Sequence, residues 1–78
     1  MDLEVIRVLI WAKIQGGHLP RDGAAKAFGR PGDGKKCSAC EEILTSATLM
    51  MEVQQGTTVF FFHGDCYLLW LEERTPKS

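Results

Sequence analysis

Three cysteines and one histidine occur in two close pairs, and this spacing constrains the fold more than any other feature of the 78-residue chain. Two residues separate Cys37 from Cys40, 22 residues follow, and two residues separate His63 from Cys66. A Zn²⁺ ion prefers four soft or borderline ligands in a tetrahedron, and two such pairs supply them when the chain between folds back. The sequence therefore predicts one structural Zn²⁺ per chain, bound by Cys37, Cys40, His63 and Cys66.

The length and the cysteine count favour the same conclusion. A chain of 78 residues predicts a single domain over 1–78, and a core of that size rarely contributes more than about 3–5 kcal/mol of net stability. Three cysteines leave one unpaired if a disulfide forms, and no signal peptide precedes them. We therefore expect a metal-stabilised protein in the reducing cytoplasm. The apolar run 3–14 contains three charges and is too short to span a membrane.

Charge is distributed unevenly between the two halves of the sequence. Residues 1–36 have a net charge of plus three, and residues 37–78 have a net charge of minus four. A Zn²⁺ held by three thiolates and a neutral imidazole makes the second half more negative by one further charge. Because phosphate contacts dominate the affinity of proteins for nucleic acid, an acidic finger is a poor surface for docking on a duplex.

The N-terminal part, 1–28, is predicted to be helical. An amphipathic helix begins after Asp2, a suitable N-cap, and runs to about Gln15, where two glycines end it. Its apolar stripe comprises Leu3, Ile6, Ile10 and Ile14, broadened by Val5, Leu9 and Ala12. This breadth predicts that the helix packs on more than one neighbour. Trp11, like Trp70, is expected to be a mostly buried anchor.

The remaining chain divides into four predicted segments. Residues 21–28 have the composition of one or two helical turns, and the glycine-rich residues 29–36 are typical of an exposed connector. The zinc finger occupies 37–73, and 74–78 form a tail.

Within the finger, two β-prone runs and a helix follow the first cysteine pair. Residues 49–54 and 57–62 flank Gln55-Gly56 and predict a hairpin, in which Met50, Glu52 and Gln54 share a polar face. A helix is predicted from about Asp65 to Glu73. The expected fold is α+β: a treble-clef-like zinc domain of knuckle, β-hairpin and C-terminal helix, with the N-terminal amphipathic helix packed on it.

The cysteine pair Cys37–Cys40 has a second interpretation as a redox motif. Such motifs usually open a helix in a βαβ unit, and no such pattern surrounds this one. Ser38 and Ala39 are small, which allows backbone amides to approach the thiolate sulfurs of a zinc knuckle. The zinc interpretation is favoured, and a redox or metal-buffering role is the less favoured alternative.

Two stretches of the finger carry a family resemblance. Lys36-Cys37-Ser38-Ala39-Cys40 and Phe62-His63-Gly64-Asp65-Cys66-Tyr67, with the hairpin between them and Trp70 after them, resemble the treble-clef fingers of LIM domains and of poly(ADP-ribose) polymerases. The resemblance covers about half the chain and implies one zinc. A second LIM-type zinc is not implied, because Leu69 and Glu72 stand where its ligands would be. The whole chain also resembles short bacterial proteins with a single finger of three cysteines and one histidine.

We expect a small zinc-stabilised protein-interaction module or regulatory adaptor that is not an enzyme, because no nucleophile–base pair, phosphate loop or open metal position is visible. The alternative is nucleic-acid binding through the basic first half. Its candidate residues are Lys13, Arg21, Lys26, Arg30, Lys35 and Lys36.

Overall fold

A computed structural model describes residues 2–21 and 26–74. The elements in chain order are α1 (Leu3–Gln15), β1 (Lys26–Pro31), β2 (Leu49–Gln55), β3 (Thr58–His63) and α2 (Gly64–Arg74). The three strands form one antiparallel sheet in the order β1-β2-β3. The predicted α+β class is confirmed, and so is the order of knuckle, hairpin and helix.

The hairpin forms where the sequence predicts it. β2 and β3 pair from Gln55↔Thr58 to Met50↔His63. Gly56 occupies the turn with a φ of 61°, a left-handed conformation that costs glycine little. Because α2 begins directly after His63, the second half of the zinc motif lies at the junction of a strand and a helix.

The first strand is a correction to the sequence analysis. Residues 26–31 form β1 and not the predicted helical turn and loop, while 22–25 of the predicted turn lie outside the described residues. β1 pairs with β2 from Lys26↔Gln54 to Pro31↔Leu49. Partners more than 15 residues away in the chain therefore override the weak local preferences of this segment. Every β1 residue is exposed, and Pro31 fits such an edge strand.

Within the connector after β1, residues 33–36 are exposed as predicted, and Gly32 is the exception. Gly32 is buried, and its backbone amide donates to the Thr48 carbonyl over 3.0 Å. A Cβ at this position would collide with the backbone carbonyls of Leu44 and Thr45. Gly32 therefore packs directly against the backbone of the loop that follows the knuckle, and only glycine fits at position 32.

The core is centred on α2 and the hairpin. Trp70 and Phe62 are fully buried and stack with centroids 5.3 Å apart, and the Trp70 indole donates to the Pro20 carbonyl over 3.1 Å. The Ile6, Ile10 and Ile14 side chains of α1 join this core, and α1 packs on α2. No helix within the described ranges has the length and apolar character to cross a membrane.

Three predictions about exposure are wrong. Trp11 is 55% exposed, because it lies outside the buried stripe of Ile6, Ile10 and Ile14, and only Trp70 is a buried anchor. Val5 and Leu9 are predicted to widen the packed face of α1, but their side chains remain 54% and 38% exposed. Met50 is fully buried although it shares a strand face with Glu52. Both faces of β2 thus contribute to the core.

Candidate metal centre

The fold brings the four predicted zinc ligands together. One donor atom from each of Cys37, Cys40, His63 and Cys66 lies within 4.8 Å of all the others. The first pair comes from the knuckle, His63 from the end of β3, and Cys66 from the first turn of α2. Cys37 and Cys66 are buried, while Cys40 and His63 are half-buried. This cluster could hold a metal ion.

The distances within the cluster fit a tetrahedral ion. Zn–S bonds of about 2.3 Å and Zn–N bonds of about 2.0–2.1 Å place S and N about 3.6 Å apart along a tetrahedral edge. The Nδ1 atom of His63 lies 3.4 Å from the Cys40 sulfur and 3.9 Å from the Cys66 sulfur. These two distances bracket the tetrahedral edge. Three thiol sulfurs and one imidazole nitrogen are also donors that zinc prefers.

Hydrogen bonds hold the knuckle against β3. The Ser38 amide donates to the Phe61 carbonyl over 2.6 Å, and the Phe61 amide donates to the Ser38 hydroxyl over 3.2 Å. Since Phe61 is two residues before His63, this contact fixes the first ligand pair relative to the second. The Ala39 amide points at the Cys37 sulfur over 3.4 Å, which offsets thiolate charge as the small residues of the knuckle predict.

A lysine from α1 contacts the knuckle from its other side. Lys13 Nζ donates to the Ser38 carbonyl over 2.9 Å and lies 3.6 Å from a Glu41 carboxylate oxygen. Glu41 follows the knuckle with a φ of 65°, a conformation that non-glycine residues seldom adopt. The sequence predicts Lys13 only as a member of the basic surface. No local signal reveals its contact, because 25 residues separate it from Ser38.

The three thiols of the cluster differ in the direction in which their pKa values are shifted. A hydrogen bond from the Cys66 thiol lowers the pKa of Cys37 to about 4. The same bond, followed by burial, raises the pKa of Cys66, and burial is the main cause of the raised pKa of Cys40. Three thiolates so close together repel one another, and a bound dication would relieve that repulsion.

The six basic residues of the nucleic-acid alternative are not equally available. Lys13, Arg30 and Lys35 each lie within ion-pair distance of a carboxylate, from Glu41, Glu52 and Asp33 respectively. Lys35 also lies 5.1 Å from the centre of the Phe61 ring. The other three, Arg21, Lys26 and Lys36, are exposed. The structure does not gather all six into one free cationic surface.

Comparisons with known proteins add nothing to the family resemblance that the four-ligand motif carries. The chain matches no family model, no curated protein and no solved structure. The resemblance to LIM-type and polymerase-type fingers therefore stays a prediction from the ligand spacing, which no family model or relative confirms.

Proposed function

We propose that this chain is a zinc-stabilised domain that binds another protein and has no catalytic activity of its own. Four protein donors complete a tetrahedron and leave no position at which zinc would bind water or substrate. The predicted zinc would therefore stabilise the fold, with the convergence of Cys37, Cys40, His63 and Cys66 as its support.

The observation that carries the protein-binding proposal is the exposed apolar surface of α1. Half of the large apolar side chains exposed within the described residues lie on this one helix: Leu3, Val5, Val8, Leu9 and Trp11. Isolated exposed apolar residues are ordinary, but a cluster on one element is typical of an interaction site. Nucleic-acid binding has weaker support, because Lys13, Arg30 and Lys35 would have to exchange a carboxylate for a phosphate.

Affinity capture with the zinc-loaded chain tests this proposal. We expect specific recovery of a protein that an unrelated zinc finger of similar charge does not recover. In parallel, binding to DNA and RNA is measured at low and at physiological salt. Capture indistinguishable from the control would contradict the proposal, and steeply salt-dependent nucleic-acid binding would favour the alternative.

A further inference from the structure

A groove runs between α1 and the zinc knuckle. Its volume is about 510 Å³, within the range of about 300–1,000 Å³ that is typical of ligand sites. Val5 and Leu9 of α1 form one wall, and Ile43 from the loop after the knuckle contributes to the other. All three side chains are more than a third exposed. Such a surface gains free energy when an apolar partner covers it.

The α1 wall has the shape of a helix-packing surface. Asp2, Val5, Ile6 and Leu9 line the groove and follow the i, i+3, i+4, i+7 spacing that places side chains on one helical face. This face adjoins the buried stripe of Ile6, Ile10 and Ile14, and Ile6 belongs to both. Side-chain ridges at this spacing accept the ridges of a second helix packed alongside. The groove therefore fits a helix better than a compact small molecule.

The charge of the groove selects the kind of helix. Asp2 and Glu42 are among its lining residues, and no lysine or arginine lines it within the described part of the chain. The two cations on α1 are directed elsewhere: Arg7 pairs with Glu72 and Glu73, and Lys13 pairs with Glu41. Cys40 and His63 also line the groove, and a Zn²⁺ bound by three thiolates and neutral imidazole adds a net negative charge there.

We propose that the α1–knuckle groove binds an amphipathic helix of another protein, one that presents aliphatic side chains flanked by lysine or arginine. This inference rests on the proposed protein-binding function and names the partner's chemistry. A second copy of the chain is a less suitable occupant. Its own α1 would bring Asp2 and Glu4 toward the carboxylates of the first, and like charges brought together oppose association.

The test uses the full, zinc-loaded, ¹⁵N-labelled chain and three synthetic peptides of about 16 residues, a length at which an isolated helix becomes marginally stable. The first peptide has leucines at helical spacing flanked by lysines. The second replaces the lysines with glutamates, and the third scrambles the first so that no stripe remains. We expect the first peptide alone to bind, with amide shifts centred on residues 5, 9 and 43.

Two matched valine variants and one charge variant locate the site. Val5→Gln should weaken binding of the lysine peptide about fivefold to tenfold, because about half a valine side chain no longer gains from burial. Val59→Gln, which makes the same change at another exposed valine outside the groove, should change binding less than about twofold, as surface substitutions usually do. Glu42→Gln should weaken binding about threefold and reduce its dependence on salt.

Three results would overturn the groove proposal while leaving the protein-binding function to the capture experiment. These are equal binding of the glutamate or scrambled peptide, shifts centred on the exposed strand β1, and no binding of the lysine peptide. Shifts of groove amides that depend on protein concentration without any peptide would identify a second copy as the occupant and would also overturn it. Failure of capture together with failure of all three peptides would count against both proposals.

Discussion

The four predicted zinc ligands should differ in which substitutions they tolerate. Cys40→Ser removes a thiolate that zinc prefers, and we expect the finger to lose its metal and unfold, because a core of this size contributes only about 3–5 kcal/mol net. His63→Cys should keep one zinc per chain, since sites with four cysteines are common. Native mass spectrometry gives the zinc content, and amide dispersion reports folding. A well-dispersed spectrum from metal-free Cys40→Ser protein would show that the core suffices without zinc.

Lys13 tests whether α1 supports the metal site. Lys13→Met keeps the aliphatic packing but removes the donor to the Ser38 carbonyl and the ion pair with Glu41. Loss of a partner that orients a zinc knuckle should weaken apparent zinc affinity about tenfold. Lys26→Met, at an exposed position on β1, is the matched control and should leave the affinity unchanged. Competition with a chromogenic chelator measures both, and equal affinities would refute this role for Lys13.

The roles of single residues could be predicted from the sequence where those roles depend on the spacing of nearby residues. The ligand motif specifies its four members, because two residues between ligands suit a turn in one case and a helix start in the other. The contact of Lys13 with Ser38 joins residues 25 positions apart and leaves no trace in either segment. The exposure of Trp11 was mispredicted for a related reason: tryptophan is usually buried, but its side of α1 has no covering element within the described residues.

At the scale of elements, the helices and the hairpin could be predicted and β1 could not. Both helices and both hairpin strands have periodic apolar residues or a turn signal of their own. β1 contains Gly29 and Pro31 and buries none of its side chains, so neither composition nor alternation marks it. It forms because β2 presents an open edge to which it can pair. Strands defined by a partner in this way are the least visible in a single sequence.

The two faces of α1 should differ sharply in their effect on stability. Ile10→Ala empties a fully buried position and should lower the free energy of unfolding by about 2–4 kcal/mol. Val8→Ala, at a position that is 63% exposed, should change it by less than about 0.5 kcal/mol. Urea unfolding of the zinc-saturated proteins compares the two. A larger loss for Val8→Ala would mean that another surface covers the outer face of α1 in solution.

At the scale of the whole molecule, the metal site connects elements that also meet in the core. Its ligands come from the knuckle, β3 and α2. Lys13 and Arg7 extend these connections to α1, through the Ser38 carbonyl and through Glu72 and Glu73. A metal ion at this junction would tie the knuckle directly to β3 and α2, and to α1 through Lys13. Zinc binding and folding should therefore be one coupled event.

The number of protons released on zinc binding reports whether the metal-free molecule is folded. In a folded metal-free cluster the pKa of Cys37 is lowered to about 4, while those of Cys40 and Cys66 are raised. Zinc would then displace about two protons at neutral pH, because Cys37 is already a thiolate. In an unfolded chain all three thiols have an ordinary pKa of about 8.5 and would release about three.

We expect about three protons, because the metal-free finger should be unfolded. Acidification should accordingly favour the metal-free state, with apparent affinity falling steeply per pH unit below about pH 8, since protons and zinc compete for the same thiolates. Calorimetric titration of the reduced protein in buffers of different protonation enthalpy gives the count directly. A count near two would instead mean that the cluster keeps its folded hydrogen bonds without metal. The core and the contacts of α1 would then stabilise more of the fold than a chain of this length usually achieves.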